Sequence, residues 1–550
     1  MSKATRFLFP VTGALLLAAC GAPADTAASP SVGGTLVISA VADADLLLPP
    51  LALTGQALQI TDQLFDRLVQ PSMDSAGTLS YAPALATRWS WRADSLAIDF
   101  TLADNARWHD GQPVTAEDVR FSFAAYADSA LGSPTREALH DIDSVQITGA
   151  HAVRVWFARR GPSQFSDAAT QVRVLPKHLL DSIPRASWRS SAFARQPVGS
   201  GRFRFGSWQA GTRIELITDS ANYRGRAKLD RVVWTIAPDP AAAMLRLTSG
   251  DADFLEGVRP DGVAELAKHP NVRVLRSPGL AYGYLQFNLM APRSATVPHP
   301  LFGQRELRRA LSAGVNRALA VQQVLGSEAR VALGPVTRIQ LGADTLLPAI
   351  AYDTLRARAV LDSLGWVRGA NGVRAKGGAP LRFSLLVPGT STQRVRLAEV
   401  LQPMFTALGA QVEITSLEFG AFMGRLAAGD FDAAIMAIGA DPDLGGIRGV
   451  WGSDASRLKG GPNFGLYASA AFDSAVTTGL RTTDAAAARR AFQPAYRLIL
   501  EDAPAIWLFE PYTLSGVSTA ITTEGVRPDA WWAQLAEWTR VPAAAPAVKR

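Results

Sequence analysis

The chain has 550 residues, more than one hydrophobic core usually organises, so two or three lobes are expected. With 48% apolar and 19% charged residues it has the balance of an ordinary folded protein, which excludes a largely low-complexity chain. The formal charge of +7 comes from 48 arginines and 7 lysines scattered among acids, in no stripe or run, so nucleic acid is not an expected partner.

In chain order, the first signal is at the N-terminus. Lys3 and Arg6 precede an apolar stretch, Phe7 to Ala19, too short for a bilayer span but right for the core of a signal peptide over 1–19. It runs into Leu17-Ala18-Ala19-Cys20-Gly21. Cys20 is the only cysteine, which reads as a lipid attachment point and leaves no thiol for a disulfide. Cleavage before it would remove two positive charges, leaving +5. The residues after it, GAPADTAASPSV, read as a flexible tether (20–32 with the cysteine) able to reach on the order of 40 Å when extended. An exported protein held at the cell envelope or periplasm by Cys20, with no later membrane span, is expected.

Strands are predicted at 35–39, 97–102, 153–157, 213–217 and 232–236, where apolar residues run together or alternate. In YDTLRARAVLDSLGW, Ala357, Val360, Leu361 and Leu364 share one helical face, with Asp353 as N-cap and Gly365 as the stop. In LAEVLQPMFTALGAQVEI, Leu397, Leu401, Met404, Phe405 and Leu408 do the same before Gly409 and a strand at Val412. Pro403 predicts a kink or a late start there. One pattern occurs twice: LRLTSGDADFL (245–255) and GRLAAGDFDAAIM (424–436) each pass from a helix through Gly-Asp-x-Asp into a strand. Asp251/Asp253 and Asp430/Asp432 read better as turn residues than as catalytic dyads, and the repetition suggests two lobes built on similar helix-to-strand units.

Enzyme and metal motifs are nearly absent. The six histidines show neither HxxxH nor HExxH spacing, and there is no phosphate loop or G-x-S-x-G elbow, so no metal or cofactor is expected. Ser456-Arg457-Leu458-Lys459 fits S-x-x-K, which keeps a secreted serine hydrolase as a competing reading, although it lies in a Gly-rich polar stretch. WHDGQPVTAEDVRFSF (108–123) places acids and a histidine together, yet Thr115 reads as a helix cap, Glu117 and Asp118 as first-turn acids, and Gly111 and Pro113 as turn residues. That stretch should hold a shape.

The same stretch resembles the signature block of the bacterial family 5 extracellular solute-binding proteins, the oligopeptide, dipeptide and nickel receptors of ABC importers. ALATRW (84–89), PVGSGRFRFGSWQAG (197–211), YGYLQFNL (282–289), RELRRALSAGVNRALAVQQVLG (305–326) and PNFGLYASAAFDSAV (462–476) are similar to further blocks of that family in the same order. The resemblance implies an α/β, periplasmic-binding-protein-like (class II) two-lobed fold with an additional inserted domain and a ligand cleft between lobes. It implies lobe I at 33–65, 197–280 and 507–541, an inserted domain II at 66–196, lobe III at 281–506 and a tail at 542–550. The implied role is a non-enzymatic, monomeric receptor that closes over a peptide and delivers it to a membrane permease.

In the peptide-binding members a strand followed by an Asp supplies the site. The matching segment is AIMAIGADPD (434–443), which implies that Ala437 and Gly439 offer backbone groups and that Asp441, or Asp443, takes the peptide ammonium. Ala437-Ile438 stands where a Gly-Trp pair is common in the family. Trp451, Thr54 and Gly55 are further expected cleft residues. A non-peptide ligand stays open: an oligosaccharide stacked on Trp531, Trp532 or Trp538, or a metal chelate, which the absence of histidine near this segment disfavours.

Overall fold

Residues 32–541 are described by the computed structural model, apart from 74–78, 162, 341–346, 348, 441–445, 483 and 484. Cys20, the tether before Val32 and the tail at 542–550 lie outside the described residues, as do Asp441 and Asp443.

Lobe I begins with β1 (Thr35–Ala40) and α1 (Gly55–Leu64). The inserted domain contains β2 (Ala86–Trp91), β3 (Ala97–Leu102), α2 (Ala116–Ala127), β4 (Ile142–Gly149) and β5 (Ala152–Phe157). Its strands form an antiparallel sheet in the order β2-β3-β5-β4. The period-two pattern explains β3: Ile98, Phe100 and Leu102 are buried, while Asp99 on the other face pairs with Arg154 of β5 at 2.7 Å. The chain returns to lobe I through β6 (Phe203–Gln209), β7 (Arg213–Thr218), β8 (Arg231–Ile236), α3 (Pro240–Ser249), β9 (Phe254–Glu256) and β10 (Val272–Pro278). All five strands predicted from the sequence are present within a residue of their expected bounds.

Lobe III opens with β11 (Ala281–Phe287) and adds β12 (Ala329–Val331), α4 (Thr354–Ser363), β13 (Arg382–Pro388), α5 (Thr392–Leu408), β14 (Gln411–Leu417), α6 (Phe419–Ala428), β15 (Ala433–Gly439) and α7 (Gly446–Trp451). Asp353 caps α4, accepting from the Arg356 N–H at 2.8 Å, and Gly365 follows the helix with φ +83°. Pro403 neither delays nor ends α5. It is exposed, as is Glu399, whose carbonyl loses its helical partner and faces water.

One strand joins the lobes. β16 (Ala505–Ser518) pairs with β11 and β12 through Ala505–Pro511, then with β10 and β9 through Tyr512–Ser518. The result is a twelve-stranded sheet in the order β14-β13-β15-β11-β16-β9-β1-β8-β7-β6, with β10 and β12 also on β16. The strand changes partners after Pro511, from β11 and β12 to β10 and β9. There Pro511 lies against Gly279 of the β10–β11 connection, where a Cβ would stand 2.1 Å from the Pro511 carbonyl oxygen. Apolar cores lie on both sides of this crossover. One contains Leu285, Phe383, Leu401 and Phe405 of lobe III; another contains Ile38, Leu64, Phe254 and Trp538 of lobe I and continues into the inserted domain.

The signature stretch bolts the inserted domain to lobe I. Asp118 receives both the Thr115 N–H (2.8 Å) and its hydroxyl (3.0 Å), closing the N-terminus of α2. The His109 ring accepts from the Gly199 N–H at 3.2 Å and donates to the Gly201 carbonyl at 2.9 Å, and burial holds its pKa below the usual histidine value. Gly199 and Gly201 are glycines for a steric reason: a Cβ would lie 1.8 Å from the Leu64 oxygen or 2.2 Å from the Gln63 oxygen at the end of α1. The stretch holds two domains together.

Candidate functional site

The four repeated aspartates are structural. Gly250 (φ +89°) and Gly429 (φ +67°) end α3 and α6 in the left-handed region. Asp251 accepts from the Ser249 hydroxyl, and Asp253 takes Arg540 and the Val37 N–H. Asp430 is paired with Arg293 (2.9 Å) and Arg425 (3.3 Å). Asp432 takes His299 at 3.1 Å and both the N–H and hydroxyl of Ser384. Ser456 is equally committed: its hydroxyl accepts the Leu458 N–H at 3.2 Å in a short turn closed by Gly460 (φ +79°). Among the described residues no side-chain hydrogen bond joins Ser456 to Lys459, the contact a nucleophile and its base require.

β15 has a different character. The bonds Asn288 N–H to Asp432 O (2.8 Å) and Ala440 N–H to Leu280 O (2.7 Å) fix the parity of its antiparallel pairing with β11. Even-numbered residues from 432 to 440 exchange bonds with β11, so Ala437 and Gly439 turn their N–H and C=O to the opposite side. On that side β13 pairs only with Ala433 and Ala434, then leaves with β14 as far as Pro388. The strands fork, and among the described residues no strand lies beside the main-chain groups of the far half of β15. Ala437 is half-buried and Gly439 exposed.

The fork lies at the carboxyl ends of β13, β14 and β15, the end at which α/β sheets open their crevices. Arg394, in the first turn of α5 just after β13, sits there on the same helical stripe as the buried Leu397, Ala398 and Leu401. It is half-buried, and burial lowers its pKa from the ordinary guanidinium value, with only Tyr284 opposing. Among the described residues no carboxylate pairs with it. Nothing in the sequence distinguishes it from 47 other arginines; its signal is a position that only the folded chain creates.

β15 ends at the crossover of the lobes, beside a cavity of about 410 Å³. Its walls include Gly279 and Leu280 of the β10–β11 connection, Pro511 and Thr513 of β16, Ala440 just past β15, and Asp529 from the C-terminal return. A larger groove, about 570 Å³, lies on the inserted domain, where Lys177 pairs with Glu117 (3.2 Å) and His178 with Asp110 (2.8 Å).

The other expected cleft residues fare differently. Trp451 does not line a cleft. It is 1% exposed, donates its indole N–H to the Tyr282 hydroxyl at 3.0 Å, and packs on Tyr284 and Trp507, because α7 lays its apolar end on that sheet face. Thr54 caps α1, accepting from the Ala57 N–H (3.3 Å) and donating to Asp45 (3.0 Å), while Gly55 is exposed. Both stand in lobe I, on the opposite side of the crossover from Ala437 and Gly439. The tryptophans considered for sugar stacking are also engaged: Trp531 and Trp538 flank Phe254 in the core, and Trp532 donates to Asp62 at 2.8 Å. Among the described residues no helix is long and apolar enough to cross a membrane.

Residues 80–451 match the family model for bacterial extracellular solute-binding proteins, family 5 (middle region). The chain is similar to the oligopeptide-binding protein AppA of Bacillus subtilis, 25% identical over 494 residues and covering 88% of each chain. It is also similar to the probable D,D-dipeptide-binding periplasmic protein DdpA of Escherichia coli, 27% identical over 486 residues, 86% of this chain and 88% of that one. Among solved structures, the ABC transporter substrate-binding protein CtaP of Listeria monocytogenes superposes with a TM-score of 0.79. It is 20% identical and covers 93% of this chain and 100% of its own, a likeness of fold alone.

Proposed function

The chain belongs to the bacterial extracellular solute-binding proteins of family 5, and from that premise we propose that its solute is a short peptide, held in extended form along β15 and passed to an ABC-transporter permease. The observation that carries this reading is the unpaired edge at Ala437 and Gly439. A peptide laid there adds a strand, and main-chain bonds grip it without regard to its side chains. Asp441, or Asp443 in the alternative alignment, takes the peptide ammonium just beyond the strand. Arg394, half-buried and with no carboxylate partner among the described residues, suits the peptide's anionic end. Lobe I closes over the ligand, so binding and closure are one equilibrium. Cys20 carries the lipid that keeps this monomeric receptor near its permease.

The test is mass spectrometry of what the purified protein releases on denaturation. Short peptides of mixed sequence, whose re-addition raises the melting temperature, are the expected result. Release of a sugar or a metal chelate, with no peptide raising the melting temperature, refutes the reading.

A further inference from the structure

We propose that Arg276 and Glu328 form a latch across the crossover of the lobes, favouring the arrangement in which the edge of β15 is open and so opposing closure over a solute. The inference goes beyond the peptide reading, since it holds for any solute that draws the lobes together.

The latch lies on one face of β16. Glu510, Tyr512 and Leu514 alternate onto that face, with the change of partners between the first two. Arg330 of β12 stands opposite Glu510, and Arg276 of β10 stands opposite Leu514. Glu328 directly precedes β12, which flanks β16 on the side away from β10 and β11. Arg276 of lobe I therefore strides over β16 to reach Glu328 of lobe III. It donates from Nε to Oε2 and from Nη2 to Oε1, both at 2.8 Å. The Ser327 hydroxyl donates to Oε1 at 2.9 Å, and the Glu328 side chain is only 8% exposed, so the carboxylate is well fixed. A second link runs beside the first. Arg330 donates from Nε to the Tyr512 hydroxyl, and its guanidinium lies 4.6 Å from the centre of that ring. Glu510, one step back along the strand, stays within lobe III, taking the Arg338 N–H at 2.9 Å and its Nη1. The row of polar side chains thus passes from pairs inside one lobe to pairs between lobes where β16 changes partners.

In this arrangement Gly439 is exposed, so the edge of β15 lies open to solvent at its far end. Covering it turns lobe I about the contact of Gly279 with Pro511, and that turn moves β10 relative to β12. A bidentate pair has one geometry in which both bonds are short, and the turn lengthens them. A bond made at one lobe angle and lost at another shifts the population toward the first. The latch therefore sets how much of a solute's binding energy is consumed in closure, without touching the solute.

The test measures the separation of the lobes. In a Cys20→Ser background, which removes the lone thiol, Leu245→Cys in α3 and Leu355→Cys in α4 take nitroxide labels at well exposed positions of lobes I and III. Pulsed electron–electron resonance without solute should show a broader distance distribution once Glu328→Gln or Arg276→Gln is added. In equilibrium dialysis against an equimolar library of X-Ala-Ala tripeptides, either variant should bind about threefold or more tightly than the chain with the pair intact. The double variant should add nothing to the larger single effect. An unchanged distance distribution, with only a lower melting temperature, would mean a purely structural tie and overturn the proposal; equal or weaker tripeptide binding would overturn it too. If Glu328→Gln does not fold, Arg276→Gln carries the same test, its side chain being 39% exposed. If the intact chain binds no tripeptide, the peptide reading falls, and the distances without solute alone decide the latch.

Discussion

Gly279→Ala is expected to destabilise the whole molecule, because the added methyl has nowhere to go. Its Cβ would stand 2.1 Å from the Pro511 oxygen and 3.2 Å from the Pro511 carbon, whereas carbon and oxygen approach to about 3.3 Å in folded proteins. The two crossing strands must therefore separate by about 1 Å. They are tied on either side of the contact, by Pro278 opposite Tyr512 in lobe I and by Gly283 opposite Phe509 in lobe III, so the movement strains both ladders. Overpacking at about 1–3 kcal/mol, with one ladder bond of about 1 kcal/mol weakened, gives a loss of about 2–4 kcal/mol. With an unfolding entropy of about 2.1 cal/mol/K per residue, a chain of 550 residues shifts by about 1 °C per kcal/mol, so the melting temperature should fall by about 2–4 °C. Gly439→Ala is the matched control, since among the described residues its new methyl meets nothing closer than the Leu280 oxygen at 4.0 Å, and its melting temperature should stay within about 1 °C of the wild type. Differential scanning calorimetry on both variants suffices. Equal melting temperatures for the two would refute the claim that the crossover is sterically closed at Gly279.

Three further outcomes follow from side chains already described. Burial works against ionised Asp62, but Arg173 and Arg67 outweigh it and, with the Trp532 N–H, hold its carboxyl well below the usual range. Because its folded pKa is depressed, its contribution is complete above the unfolded value of about 3.9 and is lost as pH falls toward the folded one. Asp62→Asn should therefore lower stability at pH 7 by about 3 kcal/mol or more and flatten the acid limb of a urea-midpoint profile below pH 4; an unchanged profile would show that the pair is idle. Arg394→Gln should weaken peptides with a free carboxylate about tenfold while leaving C-terminal amides unchanged, measured by calorimetric titration, and equal weakening of both would remove Arg394 from the site. Asp441→Asn should weaken free-amino peptides far more than N-acetylated ones, and if Asp443→Asn does so instead, the alternative alignment holds.

The local elements were legible because local chemistry dictates them. β3 alternates Ile98, Phe100 and Leu102 with polar residues, and Asp353 and Gly365 bracket α4, so neither needed a partner to be recognised. Ala437 and Gly439 came from the family resemblance, and the parity of β15 turns their main-chain groups away from β11. Trp451 was misplaced because a tryptophan beside a binding segment can face ligand or core, and only the sheet face beneath α7 decides which. Arg394 was invisible for the opposite reason: it is an ordinary charged residue whose meaning depends on where the chain puts it, at the fork of two strands.

The sharing of β16 also bears on how the molecule is made. The ribosome releases this strand late, and until it arrives neither lobe possesses the edge through which it meets the other. A growing chain therefore has no early moment at which one half could lock into its finished form, and removing the last segment should cripple both halves at once. For a member of an extracellular solute-binding family, completion is thus postponed to the final stretch by the order of its strands.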